Sequence, residues 1–229
     1  MIAIGHRGAA GYAPENTLKS VSRALELGVP WVEVDVYVVE DHLVVFHDER
    51  LERTTDGHGY VRDRSFAYLR TLDAGEGERI PTLDEVFDLV GRRAGINIEL
   101  KGPGTAGSVA GRIAGLIGQG WGYDRIVVSS FDRTALAAMK ALDPRIRLGG
   151  LLSRIPHDDA ACGERLGLWS IHPSIRFIDR ALVDDAHRRG LQVWAYTANT
   201  HEDIARMAAL GVDGLFSDYP DRVMRYAGD

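Results

Sequence analysis

Eight short apolar runs recur along the chain, and most are separated by a segment of helical period. They are Ile2–Gly5, Trp31–Val36, Gly95–Leu100, Arg125–Ser130, Arg147–Leu151, Leu168–Ile171, Gln192–Tyr196 and Gly214–Ser217. The segments between them carry helix punctuation. Pro14 can open a helix with Leu18, Val21 and Leu25 on one face and Gly28 as a stop. Thr82 and Glu85 have capping-box spacing, and two later helices end in Gly190 and Gly211 just before a strand. Strand and helix in alternation build a parallel sheet, because parallel neighbours need a crossover of roughly a dozen residues. Eight such units predict a closed (β/α)8 TIM barrel. An open doubly wound sheet should offer a G-x-G-x-x-G turn after its first strand, and Gly8-Ala9-Ala10-Gly11 lacks that spacing. The 229 residues suit one barrel, so a single domain over 1–229 is expected.

A ninth run, His42–Phe46, follows the second strand too closely for a crossover and must return antiparallel, as a hairpin turning near Glu40-Asp41. That return lays His47 opposite Val34 or Asp35. Residues 49–80, rich in charge, Gly and Thr with a weak helical patch at 66–72, read as a short cap inserted after the second strand, without a core of their own.

The net charge of −6 and pI near 5.8 argue against a nucleic-acid or anionic-membrane surface. One cysteine, Cys162, excludes an intrachain disulfide. No stretch approaches the ~20 apolar residues of a spanning helix, and the first residues enter a strand pattern without a basic leader or signal core. A cytoplasmic protein with no nucleic-acid partner and no membrane insertion is expected; the oligomeric state stays open, a homo-oligomer included.

Glu33 and Asp35 stand two apart on a strand, so both face one way while Val32, Val34 and Val36 face the other. In a barrel the valines meet the outer helices and the carboxylates point inward, at a cost on the order of several kcal/mol each unless a cation joins them. On a solvent-facing antiparallel strand the same alternation would carry no chemistry. Glu99 alternates in the same manner on the next barrel strand, sharing a face with Asn97 and Lys101. Oxygen donors of this kind suit a hard divalent metal ion, Mg2+ or Ca2+. Zinc fits poorly, since no Cys cluster or paired-histidine spacing accompanies them. His6, Arg7 and Gly8 end the first strand, which in a barrel is the catalytic face. Arg7 can clamp phosphate oxygens bidentately, and Gly8 lets the backbone approach closely. Of the other histidines, His187 falls late in a helix, whereas His42, His58, His157, His172 and His201 fall in loops or at element ends; none is given a role.

With these residues in view, the chain resembles the glycerophosphodiester phosphodiesterase family. The resemblance is carried by His6-Arg7-Gly8, Pro14-Glu15-Asn16-Thr17, Glu33-x-Asp35, His47-Asp48, Arg53-Thr54-Thr55-Asp56-Gly57 and Glu99-Leu100-Lys101. Ser130-Phe131, Trp194, Asp213-Gly214 and Ser217-Asp218-Tyr219-Pro220 continue it to the end of the chain. It implies a TIM barrel and the metal-dependent hydrolysis of a small-molecule glycerophosphodiester substrate to sn-glycerol 3-phosphate and an alcohol. Carried over position by position, it makes Glu33, Asp35 and Glu99 the metal ligands and His6 and His47 the acid/base pair. Arg7, Lys101 and Trp194 become substrate contacts. Two departures bear on substrate preference at the rim: Ala195-Tyr196 stands between Trp194 and Thr197, and Ser217 stands where threonine is usual.

Two other functions compete. A related barrel phospholipase, acting on phosphatidylinositol or sphingomyelin, would want apolar or basic loops for the lipid interface, and residues 49–79 are charged and polar. A non-catalytic binding barrel would lack a histidine or a metal carboxylate, and all five are present.

Overall fold

The structure, a computed structural model, describes residues 1–154 and 160–228; His157 lies outside them. Among the described residues nine strands form, β1 (Ile2–Gly5), β2 (Trp31–Val39), β3 (His42–Val45), β4 (Gly95–Leu100), β5 (Ile126–Ser130), β6 (Arg147–Leu152), β7 (Ser170–Pro173), β8 (Gln192–Ala195) and β9 (Gly214–Ser217). All but β3 are parallel, in the order β1-β9-β8-β7-β6-β5-β4-β2, and β1 pairs with β2 to close an eight-stranded barrel. The helices are α1 (Leu18–Glu26), α2 (Phe66–Leu69), α3 (Leu83–Val90), α4 (Thr105–Gly118), α5 (Arg133–Leu142), α6 (Ala161–Arg165), α7 (Arg180–Arg188), α8 (His201–Leu210) and α9 (Pro220–Gly228). Among the described residues, no helix is long and apolar enough to cross a membrane.

The alternation of side chains on β2 divides the core. Val32, Val34 and Val36 join Ile96 and Ile98 of β4 against Val21 and Ala24 of α1 and Val86, Phe87 and Val90 of α3. Each such side chain, fully buried, contributes about 1.5–3 kcal/mol. Inside the barrel, Ile4, Trp31, Val127, Trp194 and Phe216 form a separate aromatic-rich plug. With the lower barrel filled, function is confined to the strand ends above it.

Helix punctuation acts locally as the residues suggest. Thr82 and Glu85 close the capping box of α3, and Gly211 ends α8 in the left-handed region at φ 79°. The first crossover differs from expectation: α1 begins at Leu18 behind an N-cap by Thr17, not at Pro14. Asn16 stands at φ 58°, which no helix accommodates, because its side chain is engaged with Asp35. β7 is also displaced toward its C-terminal end, so His172 lies within a strand rather than in a loop. Pro173 ends that strand, where only its carbonyl is needed, as acceptor of the Tyr196 N–H at 3.0 Å.

β3 returns antiparallel on β2 with Val36 opposite Val45 and Val39 opposite His42. Glu40 and Asp41 make the two-residue turn, both at positive φ, as a twist-matched hairpin requires. The segment after β3 carries a small apolar cluster: Leu51, Val61, Leu69, Leu72 and Ile80 pack on Tyr37, Val39, Val44 and Phe46. The cluster is shared with the hairpin, which anchors the segment beside the barrel mouth. Its exposed Tyr60 and Tyr68 lie against the guanidinium groups of Arg50 and Arg64 at 4.9 and 5.5 Å.

Candidate active site

The register of β2 on β4 sets Glu33 beside Asn97 and Asp35 beside Glu99. All four are buried, and one carboxylate oxygen each from Glu33, Asp35 and Glu99 lies within 4.8 Å of the others. Two cations reach this cluster. Lys101 Nζ stands 3.2 Å from Asp35 Oδ1 and touches Glu99 Oε1, though without hydrogen-bond alignment at that oxygen. Arg7 sets its Nε 3.4 Å from Asp35 Oδ2 and donates its backbone N–H to Glu33 Oε2 at 2.8 Å. Asn16 Nδ2 donates to Asp35 Oδ2 at 2.8 Å.

These contacts divide the three carboxyls. Burial raises Glu33 well above the usual carboxylate range, and the neighbouring Asp35 and Glu99 add to the shift. Burial likewise lifts Glu99 to about 7, with Asp35 pushing the same way against Lys101. Burial pushes Asp35 up as well, yet Lys101, His47, Arg7 and the Asn16 amide outweigh it and hold the group below its ordinary value. Glu33 Oε1 and Asn97 Oδ1 remain buried without a hydrogen-bond donor. A buried oxygen left so costs about 1–3 kcal/mol or more. An all-oxygen donor set with unmatched negative charge is what a hard divalent cation requires, so these residues fit the metal implied by the sequence.

The two histidines reach the same cavity from separate strand ends. His6 follows β1, where Arg7 at φ 50° and Gly8 at φ 86° turn the chain back. A side chain on Gly8 would run into Ser20 at 2.5 Å, so glycine is required there. His6 Nδ1 pairs with Asp218 Oδ1 at 2.7 Å, and Asp218 is held by Asn199, whose Nδ2 donates to Oδ2 at 2.6 Å. His47 follows β3, and its Nδ1 pairs with Asp48 Oδ1 at 2.5 Å. Arg53 grips Asp48 through Nε at 2.5 Å and Nη2 at 2.9 Å, and also binds both oxygens of Glu15 at 2.7 Å. Glu15 in turn accepts from Arg7 at 2.6 Å. Each imidazole thus has its Nδ1 engaged by a carboxylate and its Nε2 left for the cavity, an arrangement that fixes ring orientation. Burial lowers the His47 pKa against the pull of Asp35. The Arg53 hydrogen bonds hold Asp48 far below the carboxylate range.

The cavity, of about 220 Å3, is lined by His6, Arg7, Glu33, His47, Glu99 and Lys101. Phe131, Leu151, Tyr196 and Phe216 add an apolar and aromatic part to the lining. Seven of the eight residues singled out from the sequence therefore gather here, with Asp35 just behind the lining. Trp194 is not in the lining of the cavity. It is completely buried in the barrel plug, edge-on to Trp31 and Trp169 at 5.1 Å and stacked on His172 at 5.6 Å. Side chains two apart on a strand share a face at successive heights, so it is Tyr196 that stands one layer higher, at the cavity wall. Asp218, Asn199, Glu15, Asn16, Asp48 and Arg53 had no role assigned from sequence, although all lie in or beside the runs that carry the resemblance. Asp48 finds His47 and Arg53 close by in the chain, but Asp218 meets His6 and Asn16 meets Asp35 across 212 and 19 residues, and the residue types alone name none of these pairings.

Residues 6–222 match the model of the Glycerophosphoryl diester phosphodiesterase family. A protein of Caldanaerobacter subterraneus subsp. tengcongensis named glycerophosphodiester phosphodiesterase is 35% identical, the match covering 97% of this chain and 96% of that one. One of the same name from Bacillus subtilis is 30% identical over 96% of this chain and 84% of its own. Among solved structures, an Oleispira antarctica phosphodiesterase in complex with the product sn-glycerol-3-phosphate superimposes with a TM-score of 0.92. It is 35% identical and covers 100% of this chain and 97% of its own.

Proposed function

The chain belongs to the glycerophosphoryl diester phosphodiesterase family, and from that premise we propose that it hydrolyses a glycerophosphodiester to sn-glycerol 3-phosphate and an alcohol. Glu33, Asp35 and Glu99 would hold a hard divalent cation, Mg2+ or Ca2+. The observation that carries this reading is the donorless Glu33 Oε1 within a buried carboxylate trio, in a cavity that two carboxylate-backed imidazoles also enter.

A phosphodiester anion repels nucleophiles and has a poor alkoxide leaving group. When bound, the cation supplies neutralisation of charge on the non-bridging oxygens. Arg7 and Lys101 add two fixed positive charges beside the same position, Arg7 as a planar fork and Lys101 as a point charge. One imidazole takes the proton of the attacking hydroxyl at its Nε2, and the other, protonated, gives its proton to the departing alkoxide oxygen. The net proton count is unchanged over the cycle. Each transfer is worth about 10²–10⁴-fold. Asp218 and Asp48 keep the rings turned toward the cavity and stabilise whichever ring carries the charge.

We read the chain as one catalytic domain whose insertion after the β2–β3 hairpin contributes Arg53 to the support of His47. The single cysteine accords with a reducing compartment, and we place the enzyme in the cytoplasm. The test is release of sn-glycerol 3-phosphate from glycerophosphocholine, glycerophosphoethanolamine and glycerophosphoinositol, with and without EDTA, beside an assay on intact phosphatidylinositol and sphingomyelin. The expected result is release from at least one glycerophosphodiester, abolished by EDTA and restored by Mg2+ or Ca2+. Turnover of intact lipid alone would overturn the reading.

A further inference from the structure

The central cavity, at about 220 Å3, has room for the glycerophosphoryl half of a diester and little more. A second concavity of about 620 Å3 continues from it across the ends of β6, β7 and β8. Tyr196 and Thr197 belong to both walls. The concavity on the opposite flank, between Pro14, Arg53 and Asp73, shares no lining residue with the central one. A group that leaves the central cavity over Tyr196 enters the larger space.

We propose that this second concavity receives the leaving alcohol and selects a polyhydroxylated one, such as a cyclitol or glycerol, over a quaternary ammonium alcohol. The inference rests on the hydrolysis proposed above. Its basis is the balance of charge and hydrogen-bonding groups. Asp203 is the carboxylate in the lining, and both of its oxygens are engaged: Arg206 binds Oδ1 at 3.2 Å and the Thr200 hydroxyl donates to Oδ2 at 2.9 Å. Arg206 is itself tied to the Ile175 carbonyl at 3.0 Å. Arg176 is exposed and has no carboxylate within ion-pair distance among the described residues. Among the described lining residues, two guanidiniums stand against one carboxylate. A quaternary ammonium has no hydrogen to donate and needs an uncompensated anion or a box of aromatic faces. The aromatics here are Tyr196, whose hydroxyl is turned to the Leu152 carbonyl at 3.1 Å, and the half-exposed Phe177. A polyol meets the Ser153 and Ser174 hydroxyls, which can donate to and accept from its hydroxyls, and the Arg176 guanidinium, which can donate to them.

Steady-state kinetics on the metal-loaded enzyme, with glycerophosphoinositol and glycerophosphocholine as the two substrates, tests the proposal. The wild type should show the higher kcat/KM for the inositol diester. Arg176→Glu should lower the inositol-to-choline ratio about fivefold, mainly through KM, as reversal of one partly exposed charge can do. The inhibition constant of sn-glycerol 3-phosphate, which lacks the alcohol, should not move in Arg176→Glu, and this also reports that the variant is folded. Equal or choline-favouring kcat/KM in the wild type would overturn the proposal, as would an unchanged ratio in the variant. A loss of product inhibition matching the change in ratio would overturn it too, by placing Arg176 on the glycerophosphoryl half. Turnover of neither diester would instead bring down the hydrolase reading on which the proposal stands.

Discussion

His172 ties the stability of the barrel to pH. Its ring is completely buried, stacked on Trp194 at 5.6 Å and tilted against Phe216 at 5.2 Å. Nε2 pairs with the Ser170 hydroxyl at 2.8 Å, and Nδ1 has no partner. Burial, unopposed by any carboxylate, pushes its pKa from the ordinary 6.5 down to about 3. Between those two values the unfolded chain binds a proton that the folded chain refuses, so stability falls as the pH drops through 6.5. At pH 5 the loss is about 1.5 pH units at about 1.4 kcal/mol each, or roughly 2 kcal/mol relative to pH 8. For a chain of this size that is a fall in Tm of about 4–8 °C. His172→Gln keeps a partner for Ser170 and cannot take up the proton. Urea unfolding of wild type and variant at pH 8 and pH 5, both in EDTA, isolates the effect, because the other titrating groups are common to both proteins. The variant should lose about 2 kcal/mol less between the two pH values. An identical pH dependence in the two proteins would refute the reasoning.

Three other outcomes follow from the same contacts. His6→Ala and His47→Ala should each lower kcat by about 10²–10⁴-fold in the metal-loaded enzyme while leaving Tm nearly unchanged, measured by product release and thermal melting. Glu33→Gln should raise the Tm of the metal-free protein at neutral pH, because it removes a carboxyl that burial forces toward its protonated form in the fold while the unfolded chain ionises it, and should abolish the further rise on adding Mg2+ or Ca2+; calorimetry in EDTA and in metal reads both signs. Trp194→Ala should destabilise the fold by about 3–5 kcal/mol through the cavity it leaves in the barrel plug, and urea unfolding would show it.

The barrel was legible because its signals are local. Val32, Val34 and Val36 alternate with Glu33 and Asp35 within six residues, and a strand converts that spacing directly into an apolar outer face and an acidic inner one. The hairpin was legible for the same reason. The loop between Val39 and His42 is too short for any return but an antiparallel one, and the observed register bonds Phe46 N–H to the Asp35 carbonyl at 2.9 Å, which brings His47 to the carboxylates. What escaped depends on closure. His6 and Asp218 are 212 residues apart and meet only because β1 pairs with β9. Trp194, which the resemblance makes a substrate contact, lies below the cavity lining in the barrel plug, because height along the barrel is set by strand stagger, which no local pattern encodes.

The barrel mouth holds several conformations and charges that the chain would not adopt for stability alone. Arg7 and Asn16 sit in the left-handed region at φ 50° and 58°, where a residue other than glycine costs on the order of 1 kcal/mol. Both strained residues bind Asp35, Arg7 through Nε and Asn16 through its amide. Their strain is thus spent on the carboxylate that stays ionised. Glu33 has no comparable support beyond the Arg7 backbone N–H, and without a cation burial holds it toward its protonated form. The asymmetry separates a permanent anion, Asp35, from one that becomes an anion when a cation enters. Proton release on metal binding follows, and it should grow as the pH falls through about 7, where Glu99, lifted to about 7, also holds a proton until the cation enters.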